Sequence, residues 1–545
     1  MNIILVAINA KYIHSSLAAY SLYAYLGEKE KQHVQIQEFT VNQSEDLIVS
    51  EIFRAKPDVL AFSCYIWNIG IVMSLVETFK MIMPYVPIIA GGPEASYEYD
   101  GLLAQGVDTI VRGEGEAPFK QLVQSFLQES LPNIMQTYKL TETIPLENIP
   151  FAYERGFSHL QNRIIYYETS RGCINRCGYC LSSATKGVRF LPMARVKSDL
   201  DKFIAACVKQ VKFVDRTFNC AKHHAIAIWE YLIQNDNGIT NFHFEIAGEL
   251  LDEEMLTLLA KARKGLFQFE IGVQSTNSKT LACIRRTTDT AKLFENVRRL
   301  KLTDNIHLHL DLIVGLPYED YESFKQSFND VFACFPHKLQ VGFLKLLKGS
   351  QLRQDAEKYG IKYKKNAPYS VLKTDFISFA EINHIHKIEH MVETFYSTTG
   401  FTSTVRFMLI NFLTPFDFFD ALAAYWEAEN CHLLSHKKMA MYAFLYKFGE
   451  QFLPDKLHHV CELLKFDMLL QENVRTFPSW ITDYYQPDNK KIDRTTGVHT
   501  FDYNICEWLR QLEESPATQL VSQKIEVHLD YTLAPDERIT KFVVL

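Results

Sequence analysis

Residues 163–180 read RIIYYETSRGCINRCGYC, and the fold turns on this stretch. Its first half, RIIYYETS, is apolar, aromatic and β-branched, the composition of a buried strand. Its second half sets Cys173, Cys177 and Cys180 at CxxxCxxC spacing on the loop that leaves the strand's C-terminal end. A [4Fe-4S] cluster ordinarily takes four thiolates. Three on one short loop hold three corners of a cubane and leave one iron open to the oxygen and nitrogen atoms of a small ligand. A zinc knuckle would want a second short cysteine pair or histidines, and neither lies nearby. Buried free thiols are the other plain alternative.

Working outward, short strand-like runs alternate with helical ones across residues 161–355. The strands are RIIYYETS, VKFVDRTFN, FHFEIAGEL, FQFEIGVQS, IHLHLDLIVGLP and KLQVGFLKLLKG, with helical stretches such as DEEMLTLLAKARKG and DYESFKQSFNDVFACF between them. Six βα units predict a partial parallel (β/α)6 barrel with its active site at the strands' C-terminal mouth. Polar residues gather at those ends: Asp215, Arg216, Thr217, Asn219, Glu245, Glu249, Glu270, Gln274, Ser275, Asp311 and Lys345. Ionisable groups are costly to bury without partners. Either a ligand bearing ammonium, carboxylate and hydroxyl groups or salt bridges inside the barrel would supply them.

Residues 1–130 show the same rhythm in a different frame. NIILVAIN, VQIQEFTV, DVLAFSCYI, VPIIAGG and DTIVRG are strand-length apolar runs separated by helical segments. This predicts a doubly wound, Rossmann-like parallel sheet that binds ligands beyond the C-terminal ends of its strands. Three of those ends are chemically suggestive: Asn9–Ser15, Ser63–Asn68 and Gly91–Ser96. The paired Gly91 and Gly92 would let a large ligand approach the backbone closely. Residues 131–160, with LPNI, IPLENIP and FAYERGF, lose periodicity and gain proline, so they read as a linker.

Residues 356–545 read as a mainly helical domain, with IEVHLDYTL as a strand near the end. Here Cys431/His432 and His459/Cys461 invite a metal reading, but their spacing fits no standard zinc pattern. The abundant Tyr and Phe residues read as core, because the interleaved basic residues of a base-stacking platform are sparse.

The composition, 47% hydrophobic and 22% charged over 545 residues, is that of ordinary globular domains. A formal charge of −7 argues against a general nucleic-acid-binding surface. No apolar run reaches the roughly 20 residues that span a bilayer. The opening MNIILVAINAKY lacks a basic segment or cleavage-like site and reads as a first strand. Eight of the eleven cysteines are scattered singly outside the motif, which fits a reducing cytoplasm.

The CxxxCxxC run, with the aromatic Tyr179 just before its last cysteine, resembles the signature of the radical S-adenosylmethionine superfamily. The resemblance implies that the open iron chelates the amino and carboxylate groups of S-adenosylmethionine, and that a cluster electron releases a 5′-deoxyadenosyl radical. The segment VDRTFN, with Asp215 and Asn219, stands where the family binds the methionyl amino group, although the usual glycine-rich form is absent. EIGVQS resembles the fourth-strand motif, implying Glu270, Gln274 and Ser275 near the ribose or carboxylate. LIVGLP, with Gly315 and Pro317, resembles the adenine-side motif, and LKLLKG the end of the sixth strand. Residues 1–130 resemble the cobalamin-binding domain that precedes many of these enzymes, through Ser63, Gly91-Gly92 and the VRGEGE run Val111–Glu116. The DxHxxG loop that supplies a cobalt ligand in mutase-type domains is missing, so His14 reads as an ordinary histidine.

What the resemblance implies is a cobalamin-dependent radical S-adenosylmethionine enzyme, foremost a methyltransferase acting on an unactivated carbon, with a one-electron donor such as flavodoxin or ferredoxin. Radical cyclisation, rearrangement or oxidation would use the same cofactors. A cobalamin or iron–sulfur sensor is the non-enzymatic alternative, since fold alone does not establish chemistry. A methylthiotransferase would need cysteines for a second cluster, and residues 1–150 hold only Cys64. An elongator-type acetyltransferase would show an acetyl-CoA domain and a basic RNA surface, and neither is visible.

Overall fold

The computed structural model describes residues 1–128, 137–139, 143–184, 187–474, 476–482, 495–514, 518–535 and 537–545. Of the predicted linker, positions 131–136 and 140–142 lie outside the described residues. The chain forms two compact units: Met1–Leu308 with Ile313–Asp320 and Gly342–Ser378, and His309–Leu312 with Tyr321–Val341 and Phe379–Leu545.

The first unit opens with strands β1 (Ile3–Asn9), β2 (Val34–Thr40), β3 (Val59–Ser63), β4 (Ile88–Gly91), β5 (Thr109–Arg112) and β6 (Thr137–Lys139). They form one parallel sheet in the order β2-β1-β3-β4-β5-β6. Every residue of β1 is buried because both faces are covered. Ile4, Val6 and Ile8 pack into a core with Val72, Val76 and Phe79, while Ile3, Leu5 and Ala7 pack on the other side with Phe119, Leu122 and Val123. A strand sandwiched in this way has no polar face, which is why the run is continuously apolar.

The next strands are β7 (Ile165–Tyr167), β8 (Ser170–Gly172), β9 (Val188–Phe190), β10 (Gln210–Phe213), β11 (Asn241–Ile246), β12 (Phe267–Gln274), β13 (Ile306–Val314) and β14 (Lys338–Phe343). Six of them make an open sheet in the order β14-β13-β12-β11-β10-β7, the arrangement of a partial barrel. Strand β8 stands apart and pairs antiparallel with β9. In β12 the burial pattern alternates: Phe267, Phe269, Ile271 and Val273 are buried, while Gln268, Glu270 and Gly272 are partly open. The outer face is a phenylalanine-rich core in which Phe213 lies 4.4 Å from Phe244, and Phe244 5.7 Å from Phe267, between ring centroids. Truncating Phe244 to alanine there would cost about 3–5 kcal/mol. Helix starts follow local rules: the Asp252 and Asp289 side chains each accept the N–H three residues on, from Met255 and Lys292 at 3.0 Å. A small hairpin, β15 (Lys362–Tyr363) and β16 (Val371–Lys373), lies in the first unit, while the middle of β13 and the start of β14 fall in the second.

The second unit carries helices Phe379–Met391, Thr402–Leu409, Pro415–Ala428, Lys438–Phe452 and Leu457–Gln471. Their aromatic residues form core: Phe395 stacks on Phe444 at 5.7 Å, and Phe401 lies 4.9 Å from Tyr442. One strand was expected here, but three form an antiparallel sheet: β17 (Thr496–Tyr503), β18 (Ser522–Asp530) and β19 (Ile539–Val544). Cys461 is buried with its thiol toward the Trp480 carbonyl, and the His459 ring stacks on Phe407. Among the described residues no helix is long and apolar enough to cross a membrane.

Candidate active site at the carboxyl ends of the strands

The cysteine loop is held from below by a buried carboxylate. Asp215, 1% exposed, accepts the Thr169 N–H at 3.0 Å, the Thr169 hydroxyl at 2.6 Å and the Ser170 hydroxyl at 2.6 Å. Burial pushes this carboxyl up to about 6, against the pull of those bonds. Asn219 clamps the next strand end, donating to the Ala247 carbonyl and accepting the Ala247 N–H, both at 2.9 Å. Sequence reasoning placed both residues against the methionyl group. The structure gives their hydrogen bonds to the backbone and hydroxyls that shape the loop.

The three thiols share this loop, which opens at Gly172 with φ +115°. The Cys173 sulfur accepts the Asn175 N–H at 3.4 Å and lies 3.5 Å from the Thr217 hydroxyl. The Tyr179 phenol bonds to Cys177, whose sulfur also lies 4.0 Å from Arg286 Nη1. Burial raises the Cys177 thiol above its ordinary value while Arg286 pulls the other way. Gly178 is pinned on both sides, its N–H to the Ile284 carbonyl at 2.9 Å and its carbonyl to the Leu352 N–H at 2.8 Å. Donors aimed at sulfur are the surroundings that tune an iron–sulfur centre, so the loop fits one.

Beside it lie two orphaned atoms. Arg286 Nε and Glu249 Oε2 are buried without hydrogen-bond partners, and the two residues are within electrostatic range of each other. Buried polar atoms of this kind are ones that a ligand or water can satisfy. Here the pair matches a carboxylate and an ammonium on one small molecule. Glu249 stood among the polar strand ends of the sequence, but Arg286 did not. It sits in an ordinary-looking basic run, ACIRRTTD, after Arg285 at φ +57°.

Other expected contacts already hold protein partners. Glu270 Oε2 lies 2.8 Å from Lys212 and 3.1 Å from His243, with Glu245 4.0 Å from the same lysine. Ser275 donates to Glu319 at 2.6 Å. Gln274 has φ +73° and turns its amide back over Gly272. Gly315, at φ +87°, leaves room only for Val371, which a Cβ would approach to 2.9 Å.

The first sheet brings Ser63 and Gly91 side by side in register. The Ser63 hydroxyl bonds to Tyr65, whose ring stacks at 4.3 Å on the half-exposed Trp67. At Gly92, φ is +100° and a Cβ would meet the Cys64 carbonyl at 2.7 Å. The chain itself therefore requires this glycine. At Gly91 a Cβ would make only ordinary contact with Val111 at 3.5 Å. The His14 Nδ1 and the Tyr166 hydroxyl share a hydrogen bond at 2.7 Å, and burial lowers the histidine's pKa.

The two sets of strand ends are tied together within this unit. Arg171 Nη2 lies 2.9 Å from Glu116 and 2.7 Å from Glu168, and Nη1 3.0 Å from Glu114. Lys348 lies 3.4 Å from Glu94, and Arg353 2.5 Å from Glu98. The segment 348–353 thus touches both the GGPEAS turn and, through Leu352, the cysteine loop.

Comparison with known proteins agrees with this layout. Residues 3–123 match the B12 binding domain, residues 167–331 the Radical SAM superfamily, and residues 357–541 a family described as a protein of unknown function, DUF4080. The chain is 26% identical over 331 residues to a 2-(S-pantetheinyl)-carbapenam-3-carboxylate methyltransferase of Streptantibioticus cattleyicolor, covering 52% of this chain and 46% of that protein. It is 24% identical over 353 residues to the cobalamin-dependent radical SAM methyltransferase TokK of Streptomyces tokunonensis, covering 56% and 50%. The chain therefore spans about half the length of these curated relatives. Its fold is similar to that of the cobalamin-dependent S-adenosylmethionine radical enzyme OxsB, solved with aqua-cobalamin and S-adenosylmethionine, with a TM-score of 0.60 and 13% identity over 89% of this chain and 83% of that one.

Proposed function

We propose that this chain, in which a B12 binding domain precedes a radical SAM domain, is a cobalamin-dependent radical S-adenosylmethionine enzyme that methylates an unactivated carbon. One observation carries the reading: orphaned Arg286 Nε and Glu249 Oε2 lie beside a three-cysteine loop whose strand is salt-bridged to the carboxyl edge of the first sheet. When bound, the cluster supplies the electron that splits S-adenosylmethionine to a 5′-deoxyadenosyl radical, and cobalamin carries the methyl group.

Cys173, Cys177 and Cys180 hold the cluster in this reading. Arg286 Nε donates to the methionyl carboxylate and Glu249 Oε2 accepts from the ammonium, relieving both desolvation costs at once. Gln274 and Gly315 are the candidates for the ribose and adenine, while Tyr179 backs the loop. Asp215, Asn219, Glu270 and Ser275 act as scaffolding that fixes the strand ends around the ligand. Ser63 and Gly91 face the cobalamin tail, Gly92 shapes the turn beneath it, and His14 stays off cobalt.

Radical S-adenosylmethionine enzymes draw their electron from a donor. A flavodoxin or ferredoxin of the cytoplasm fits this one. The test is anaerobic incubation of protein carrying both cofactors with reductant, methyl-deuterated S-adenosylmethionine and cell extract. Release of 5′-deoxyadenosine with label transferred to an extract component is expected. No cleavage would overturn the enzymatic reading, and cleavage without label transfer would overturn methylation.

A further inference from the structure

In the second unit, far along the sequence from the cysteine loop, helix Leu457–Gln471 lies against β17. His458 and Glu462 are four residues apart on that helix, which places them on one face. Asp502 sits near the end of β17. One ligand atom from each of the three lies within 4.8 Å of each of the others.

The local bonding decides what this group can hold. The His458 Nδ1 is 3.2 Å from the Tyr503 hydroxyl, which fixes the ring and turns Nε2 toward Asp502. His458 Nε2 stands 3.5 Å from Asp502 Oδ2, at ion-pair distance. Ligands on a common ion at bond lengths of about 2.0–2.2 Å stand about 3.0–4.2 Å apart, and this spacing falls in that range. The Asp502 N–H donates to Glu462 Oε2 at 2.8 Å, so the buried carboxylate is already oriented, as ligating carboxylates usually are. Lys465 Nζ lies 3.7 Å from Glu462 Oε1. Its ammonium donates to the Thr500 carbonyl at 2.7 Å and lies over the Phe501 ring at 4.5 Å.

The geometry points to a site for a divalent transition-metal ion, with His458, Glu462 and Asp502 as its three protein ligands. One imidazole and two carboxylates suit zinc, iron(II) or manganese(II) better than calcium or magnesium, which take oxygen alone. The His458 and Asp502 side chains are 37% and 39% exposed, so an ion reaches the site from solvent and keeps water in the open positions. The ion would clip the last long helix to the terminal sheet.

Zinc chloride titrated calorimetrically into the full chain with its iron–sulfur cluster assembled tests this. One equivalent should bind, and zinc K-edge absorption should show a nitrogen and oxygen shell near about 2.0–2.1 Å. Affinity should fall at least about tenfold in Asp502→Asn and in Glu462→Gln, the scale on which even outer-shell partners act. Zinc should also raise the melting temperature of wild type and of neither variant. No binding, a sulfur-dominated shell, or equal affinity in wild type and both variants would overturn the site. Cluster absorption in each variant confirms that the protein is folded when measured.

Discussion

Arg171, two residues before Cys173, reaches out of its own strand to place Nη2 2.9 Å from Glu116 Oε1, at the start of the helix Glu116–Leu127 that follows β5 of the other sheet. Glu116 is nearly fully buried. Burial alone would raise its carboxyl, but the Arg171 charge and hydrogen bonds outweigh that and hold it below the ordinary value.

A carboxyl depressed in the folded state stabilises the fold above its unfolded pKa, about 4.3 for Glu. That contribution is lost as pH falls through the lower folded value. Urea unfolding of cluster-free protein should therefore weaken on acidification below about pH 4.3, and Glu116→Gln should flatten that part of the profile. An unchanged profile in the variant would remove Glu116 from the linkage.

Replacing Cys173, Cys177 and Cys180 by alanine should abolish iron and the brown colour of anaerobically purified protein, since no other thiol shares their loop. Individual alanine substitutions at the remaining eight cysteines should leave iron at wild-type stoichiometry. Four irons retained in the triple variant would sink the assignment.

The adjacent glycines should separate cleanly. Gly92→Ala forces a side chain into positive φ against the Cys64 carbonyl, and should cost about 1–3 kcal/mol of stability with no cobalamin present. Gly91→Ala should leave apo stability unchanged and weaken cobalamin binding alone. Thermal melts paired with cobalamin titrations distinguish the two, and equal apo stability of both variants would contradict the geometry.

Arg286→Gln should keep the cluster's spectrum and weaken S-adenosylmethionine binding at least about tenfold, a loss of about 1.4 kcal/mol. Glu249→Gln should weaken it less, because an amide oxygen still accepts a hydrogen bond. Wild-type affinity in Arg286→Gln would show that its orphaned nitrogen has another purpose.

Strands β1 to β5, β7 and β10 to β14 were legible because buried parallel strands read as unbroken apolar or alternating runs, whereas the short antiparallel pair β8 and β9 was not. Strands β17 and β19 were not. Helix Ile505–Glu514 separates β17 from β18, so no hairpin turn marked the pair. At the site, spacing alone disclosed the cysteines, because three thiols on a short loop have few other uses. Spacing could not disclose that Lys212 would satisfy Glu270, or that Thr169 and Ser170 would occupy Asp215, since those partners come from neighbouring strands. Nor could it single out Arg286, which differs from its basic neighbours only in being buried beside sulfur.

The segment 348–353 has a thermodynamic consequence. It grips Glu94 in the GGPEAS turn and Glu98 just beyond it, and bonds Gly178 between Cys177 and Cys180, so a shift in either loop loads the same few residues. Coupling between two binding sites is reciprocal: whatever cluster assembly does to the affinity for cobalamin, cobalamin must do by the same factor to cluster retention. The order in which a cell supplies the two would then alter the rate of maturation and leave its end point unchanged.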